Sequence, residues 1–208
     1  MRASVLHVYT ALIPSHVRVR GVFPFSRSEE IASCASEKVQ KEKFCAWKLL
    51  EFALWQSFGK RMEEISFFKL ENGKWACDFC YFSLSHSHNG VAVALSDSPV
   101  GVDIEKIAPM KNKASVAKKI LTETEIEEYR RLALSPDSEN LFLLETWTKK
   151  ESLFKTGEYP QFLPNQIATS TENALTRRVC LGGEEYLLSV AGKQLFCAEF
   201  IENSPYTL

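Results

Sequence analysis

Short apolar runs with little chain between them constrain this sequence most. Residues 79–84, 91–95 and 100–104 read as β-type segments, separated by turns at His88-Asn89-Gly90 and Ser96-Asp97-Ser98-Pro99. Parallel neighbours need a crossover of a dozen or more residues, so runs this close together read as antiparallel strands. Further β-type stretches are predicted over about 3–12, 65–70, 176–181, 186–190 and 194–201, with an Asn72-Gly73 turn after the second. The helical period shows where Phe44, Trp47, Leu50 and Leu54 recur within a helix predicted from 28 to 58, with Gly59 as its stop. After a basic, mostly polar stretch at 106–119, Thr122 and Glu125 form a capping box that opens a helix to about 134. A second helix is predicted from about 138 to 156. Each half therefore mixes helix with antiparallel strands. The expected class is α+β, divided near residue 106.

A chain of 208 residues is one large domain or two small ones. Apolar residues at 45% and charged residues at 25% exclude a disordered or fibrous protein. Twenty-five Lys and Arg against 26 Asp and Glu give a net charge of −1, which argues against bulk nucleic-acid binding. No apolar run reaches about 18 residues, so no membrane-spanning helix is expected. The stretch MRASVLHVYTALIP is interrupted by His7, Tyr9 and Thr10, and reads as a buried first strand rather than a signal peptide. The six cysteines, Cys34, Cys45, Cys77, Cys80, Cys180 and Cys197, are expected as buried reduced thiols. Cys77-Asp-Phe-Cys80 has CxxC spacing, but a zinc site would want a second pair or nearby histidines. The expected compartment is the cytoplasm.

Four constellations could carry chemistry. Asp103 and Glu105 share a face of a strand, where two carboxylates invite a hard divalent cation; the plainer reading is a solvated strand end screened by Lys106. Trp147, Glu151 and Lys155 line one face of the long helix, as a third carboxylate and a phosphate-binding cation or as a surface ion pair. Ser83-Leu84-Ser85-His86-Ser87-His88 could donate to an anion or simply end a strand. Lys38-Val39-Gln40-Lys41-Glu42-Lys43 could clamp phosphates or form a solvated helix face. A P-loop, a dinucleotide-binding glycine pattern and a serine-hydrolase nucleophile elbow are all missing from the sequence.

The order of these motifs is specific. Ser85-His86-Ser87 precedes Gly101-Val102-Asp103-Ile104-Glu105, which precedes Trp147-Thr148-Lys149-Lys150-Glu151-Ser152 with Lys155; Asp103 and Glu151 stand 48 positions apart. This pattern resembles the 4′-phosphopantetheinyl transferase superfamily of the Sfp type. The resemblance implies two similar α+β halves related by pseudo-two-fold symmetry, 1–105 and 106–208, with the active-site cleft between them. It implies transfer of the phosphopantetheine arm of coenzyme A to a serine of an apo acyl or peptidyl carrier protein, releasing adenosine 3′,5′-bisphosphate. It further implies Mg²⁺ held by Asp103, Glu105 and Glu151, with Glu151, Lys155 and His86 in catalytic roles. Coenzyme A contacts are implied for Lys38, Lys41, Lys74, Ser85, His86 and Lys155. Trp75 stands where the family's Gly-Lys-Pro turn has proline. A monomer acting without nucleic acid or membrane is expected. The other readings are a metal-dependent phosphatase or nuclease, and a non-catalytic carrier-binding protein.

Overall fold

A computed structural model describes residues 6–132, 135–169, 174–193 and 198–202. Strand β1 (Leu6–Leu12) runs antiparallel to β5 (Gly90–Ser96), with Leu6 opposite Ser96 and Leu12 opposite Gly90. On the other edge of β5 lies β4 (Tyr81–Ser87), also antiparallel, and β9 (Ala198–Ile201) joins β1 in parallel. The first sheet thus has the order β4-β5-β1-β9. A second sheet, β6-β8-β7, is built from β6 (Val100–Lys106), β7 (Ala174–Leu181) and β8 (Glu184–Gly192), all antiparallel. A small hairpin joins β2 (Phe67–Lys69) to β3 (Trp75–Cys77), and its turn uses Gly73 at φ 80°. Mixed α+β structure with short antiparallel connections is what the spacing of the runs predicts.

Strand alternation sets the layers. Tyr9, Ala11, Val91, Val93 and Leu95 face helix α2 (Glu37–Phe58), where they meet Phe44, Trp47, Leu50 and Leu54. The opposite face of the same strands, Leu6, Val8, Ala92 and Ala94, packs on Val102, Ile104, Leu188 and Val190 of the second sheet. β5 is therefore buried along its whole length, which explains its unbroken apolar run. Helix α5 (Pro136–Lys155) covers the far side of the second sheet, with Leu153 against Ala191 and Thr148 hydrogen-bonded to Ser189 at 2.8 Å. Gly59 closes α2 in the left-handed conformation, as its position predicts. Thr122 caps α4 (Glu123–Arg131) with the expected reciprocal bonds to Glu125.

The structure corrects three expectations. The stretch 28–58 is two helices, α1 (Phe25–Ala32) and α2, because side chains near Ser33 satisfy carbonyls that a continuous helix would use. The Ser33 hydroxyl donates to the Glu30 carbonyl, and the Gln40 amide donates to those of Ala32 and Cys34. Within 106–119 the chain forms α3 (Lys113–Ile120), a short helix whose buried residues are only Ala117 and Ile120, too few for a readable period. Of the described cysteines, only Cys45 is fully buried; Cys34, Cys77 and Cys80 are half-buried and Cys180 is exposed. Cys197, and the strand positions expected at 3–5 and 194–197, lie outside the described residues. No helix among the described residues is long and apolar enough to cross a membrane. The division expected at 105/106 falls at the end of β6, whose partner is β8.

Glu30 knots the outer layer together. Its carboxylate accepts from Arg27 and from the Trp75 indole, each at 2.8 Å, and pairs with Lys69 at 2.8 Å. Burial opposes its ionisation, but these donors outweigh burial and hold the carboxyl at about 2. A depressed carboxyl pKa stabilises above the unfolded value and loses that effect as pH falls through the folded one. Glu30→Gln should therefore cost about 2 kcal/mol at pH 7 in urea unfolding. The gap to the wild type should close as pH falls from about 4.5 to about 2. A pH-independent gap would contradict this account.

Candidate active site at the junction of the second sheet and its helix

Gly101 brings the site together. A Cβ at this position would lie 1.8 Å from the Ser152 carbonyl oxygen, so the β6 backbone rests directly on α5. Two residues later along β6, Asp103 faces the same side, and Glu105 follows at the next outward position. On α5, Glu151 and Lys155 stand one turn apart near its C-terminus, where a cation also suits the helix dipole. The Lys155 ammonium pairs with Asp103 at 2.7 Å and reaches Glu151 at 4.0 Å.

Strand β4 supplies hydroxyls to the same cluster. Ser85 Oγ donates to Asp103 Oδ1 at 2.8 Å and accepts from Lys155 at 3.2 Å. Ser87 Oγ donates to Glu105 Oε2 at 2.6 Å. The other Asp103 oxygen, Oδ2, is buried without a hydrogen-bond partner. Burial raises the Glu105 carboxyl, and neighbouring Asp103 raises it further against the lowering effect of Ser87. Burial also raises Glu151; Lys155 works against this, and Asp103 and Glu105 add to it. Three carboxylates thus meet one ammonium in a poorly hydrated place. Acidic oxygens in excess of nearby positive charge, one of them unpartnered, suit a hard divalent cation. No group of three His, Cys, Asp or Glu residues among those described is already gathered as a metal-ligand set.

Of the remaining expected site residues, Lys74, Lys38 and Lys41 line two cavities, and His86 lies beside Glu42. Lys74 donates to the Lys155 carbonyl at 2.5 Å, and burial lowers its ammonium pKa. It lines a cavity of about 610 Å³ together with Trp75, Thr156 and Gly157. His86 lies on the opposite face of β4 from Ser85, where its Nδ1 stands 3.6 Å from Glu42. Burial holds this imidazole below its usual range despite Glu42. Lys38 pairs with Glu42 at 3.7 Å and Lys41 with Glu37 at 3.0 Å. Both lysines line a cavity of about 540 Å³ with Glu42, His88 and Asn89. The carboxylates, Lys155 and Ser85 therefore form one cluster. Lys74 touches it through the backbone, while His86 and Lys38 both pair with Glu42, and Lys41 pairs with Glu37 on the same helix.

Sequence reasoning missed two kinds of residue here. Lys150, beside Glu151, is wholly buried and donates to the Ile120 and Pro164 carbonyls and to Glu125. It braces α5 against α3, α4 and the loop at Pro164. Helical rotation carries Lys149 toward the surface and Lys150 inward, but a Lys-Lys pair does not say which is buried. Ser87 and Glu42 were visible only as members of polar runs. The Gly101 contact generates a direct test. Gly101→Ala should cost about 3 kcal/mol in urea unfolding, because the clash is with backbone rather than a movable side chain. Wild-type stability in that variant would refute the backbone contact.

Residues 99–192, which include β6, α5 and β8, match the model of the 4′-phosphopantetheinyl transferase superfamily. A Bacillus subtilis protein named 4′-phosphopantetheinyl transferase is 27% identical over 159 residues, covering 67% of this chain and 69% of the relative. The transferase gsp of Aneurinibacillus migulanus is 36% identical over 103 residues, 49% of this chain and 42% of its own length. The Sfp transferase of Bacillus subtilis strain 168 is 33% identical over 75 residues, 36% of this chain and 32% of its own. The chain thus spans less than half of the latter two relatives. Over residues 99–192 the chain is thus similar to the 4′-phosphopantetheinyl transferase superfamily, and the relatives it resembles include the Sfp transferase.

Proposed function

We propose that this chain transfers the 4′-phosphopantetheine group of coenzyme A to a serine of an apo acyl or peptidyl carrier protein, with Mg²⁺. Transferase activity is what the names of its relatives state. The observation that carries the reading is the cluster of Asp103, Glu105 and Glu151 around Lys155, with Asp103 Oδ2 left without a partner. Asp103, Glu105 and Glu151 would hold the cation, whose charge would bind the pyrophosphate oxygens of coenzyme A and stabilise the leaving phosphate.

The chain's own groups take the remaining roles. Glu151 accepts the proton of the attacking serine hydroxyl, a role suited to a carboxyl raised by burial. The serine oxygen forms a bond to the phosphorus that carries pantetheine. The bond from that phosphorus to the bridging oxygen breaks, and adenosine 3′,5′-bisphosphate leaves. Lys155 donates to the charged phosphate oxygens, and Lys74, whose ammonium reaches the Lys155 carbonyl from the β2–β3 hairpin, supports the same charge. Ser85 and His86 contact coenzyme A from β4. Lys38 and Lys41 offer a second patch of positive charge for its 3′-phosphate. The cofactor then lies between the halves 1–105 and 106–208.

A carrier fits the neighbouring surface. An apolar groove of about 500 Å³ starts at Glu105 and runs past Met110, Val116, Lys119, Ile120 and Trp147. Lys119 in its wall, with Lys111, Lys113 and Lys118 in the same segment of the chain, suits an acidic carrier helix. The protein is proposed to act as a cytoplasmic monomer, without nucleic acid or membrane.

Intact-mass spectrometry of an apo carrier, incubated with the protein, coenzyme A and Mg²⁺, tests the reading. One phosphopantetheinyl group should be gained, and a chelator should prevent it. Glu151→Gln should slow transfer at least about 100-fold. Its melting temperature should equal or exceed that of the wild type, because a like charge is removed from beside Asp103 and Glu105. No mass gain on any of several carriers overturns the proposal, and phosphate release without a carrier points to a phosphatase.

A further inference from the structure

Among the described residues, no strand pairs with the edge of β6 that faces β4. Its amides are capped by side chains instead. Val102 N–H donates to Ser83 Oγ at 3.1 Å, Ile104 N–H to Ser85 Oγ at 3.3 Å, and Lys106 N–H to Ser87 Oγ at 3.4 Å. Three alternate serines of β4 thus stand in for a backbone ladder and join the two sheets. A serine hydroxyl has one proton to give and two lone pairs to accept with. At Ser87 the Lys106 amide can only donate and Glu105 Oε2, when ionised, can only accept, so the hydroxyl proton points to Glu105 at 2.6 Å. His88 Nδ1 also lies 3.2 Å from the same hydroxyl. Ser85 is used in the same way, between the Ile104 amide, Lys155 and Asp103 Oδ1. Ser83 makes the rung without a carboxylate bonded to its hydroxyl among the described residues; both Ser83 and Ser87 are buried.

We propose that Ser87 is a positioning residue for the cation site: it occupies Glu105 Oε2, fixes the carboxylate plane and leaves Oε1 for the ion. This rests on the reading of Asp103, Glu105 and Glu151 as cation ligands. Hydroxyls that hold a ligand carboxylate tune metal affinity without touching the metal. The role is separate from sheet joining, because Ser83 joins the sheets two rungs away with no carboxylate bonded to its hydroxyl among the described residues.

That separation makes Ser83 a built-in control. Mn²⁺ is titrated into the full chain with coenzyme A present, and free ion is followed by electron paramagnetic resonance. Thermal unfolding is recorded for the same samples. Ser83→Ala and Ser87→Ala each lose one rung, and both should melt a few degrees below the wild type. Only Ser87→Ala should bind Mn²⁺ about tenfold more weakly; Ser83→Ala should stay within about twofold of the wild type. Ser87→Thr keeps the donor and should restore affinity. If the alanine variant does not fold, Ser87→Cys, close in size but a weak donor, replaces it in the comparison. Equal affinities for the Ser83 and Ser87 variants overturn the positioning role while leaving the cation site standing. Failure of the wild type to bind Mn²⁺ overturns both.

Discussion

The direct contact between the β6 backbone and α5 is the constraint on which the site depends. It exists because position 101 has no side chain, so Ser152 can approach where a Cβ would stand. A larger residue would push strand and helix apart by roughly the width of a methyl group. Asp103, two residues along the strand, and Lys155, three residues along the helix, would then separate. The glycine of the Gly-Val-Asp-Ile-Glu segment is thus a spacer, and its chemistry is exerted through its neighbours.

What this contact assembles is electrostatically unfinished. Three carboxylates meet one ammonium, Glu105 and Glu151 are pushed toward their neutral forms, and one oxygen of Asp103 has no partner. Folding does not reward such an arrangement, since buried like charges cost stability. Lys150, by contrast, is fully provided for by two carbonyls and Glu125, at the neighbouring position on the same helix. Adjacent residues of α5 therefore divide the work: one secures the helix and the other, in the function we propose, holds the cation. The serines of β4 complete the division by closing the free edge of β6 and orienting the carboxylates at once.

Much of this was legible from spacing. Period two put Asp103 and Glu105 on one face, and a separation of four put Glu151 beside Lys155. The same alternation, applied to Ser85 and His86, already sends them to opposite faces of β4, which is where they lie. Tertiary contacts decided the rest. Nothing local reveals that the unpaired edge of β6 meets the serines of β4, or that Lys150 rather than Lys149 is buried. The parallel pairing of β9 with β1 joins strands nearly 200 residues apart in sequence, and no turn signal announces it. The break at Ser33 was hidden because a helical period continues on both sides of it. The short α3 was hidden by its lysines.

The central claim is that β6 and α5 together form one cation site. A crystal of the protein grown with coenzyme A and Mn²⁺, measured for anomalous scattering, tests it most directly. The account predicts a single strong peak in contact with carboxylate oxygens of Asp103, Glu105 and Glu151. A strong peak elsewhere, with these three carboxylates engaged only by Lys155 and the serines, would contradict it.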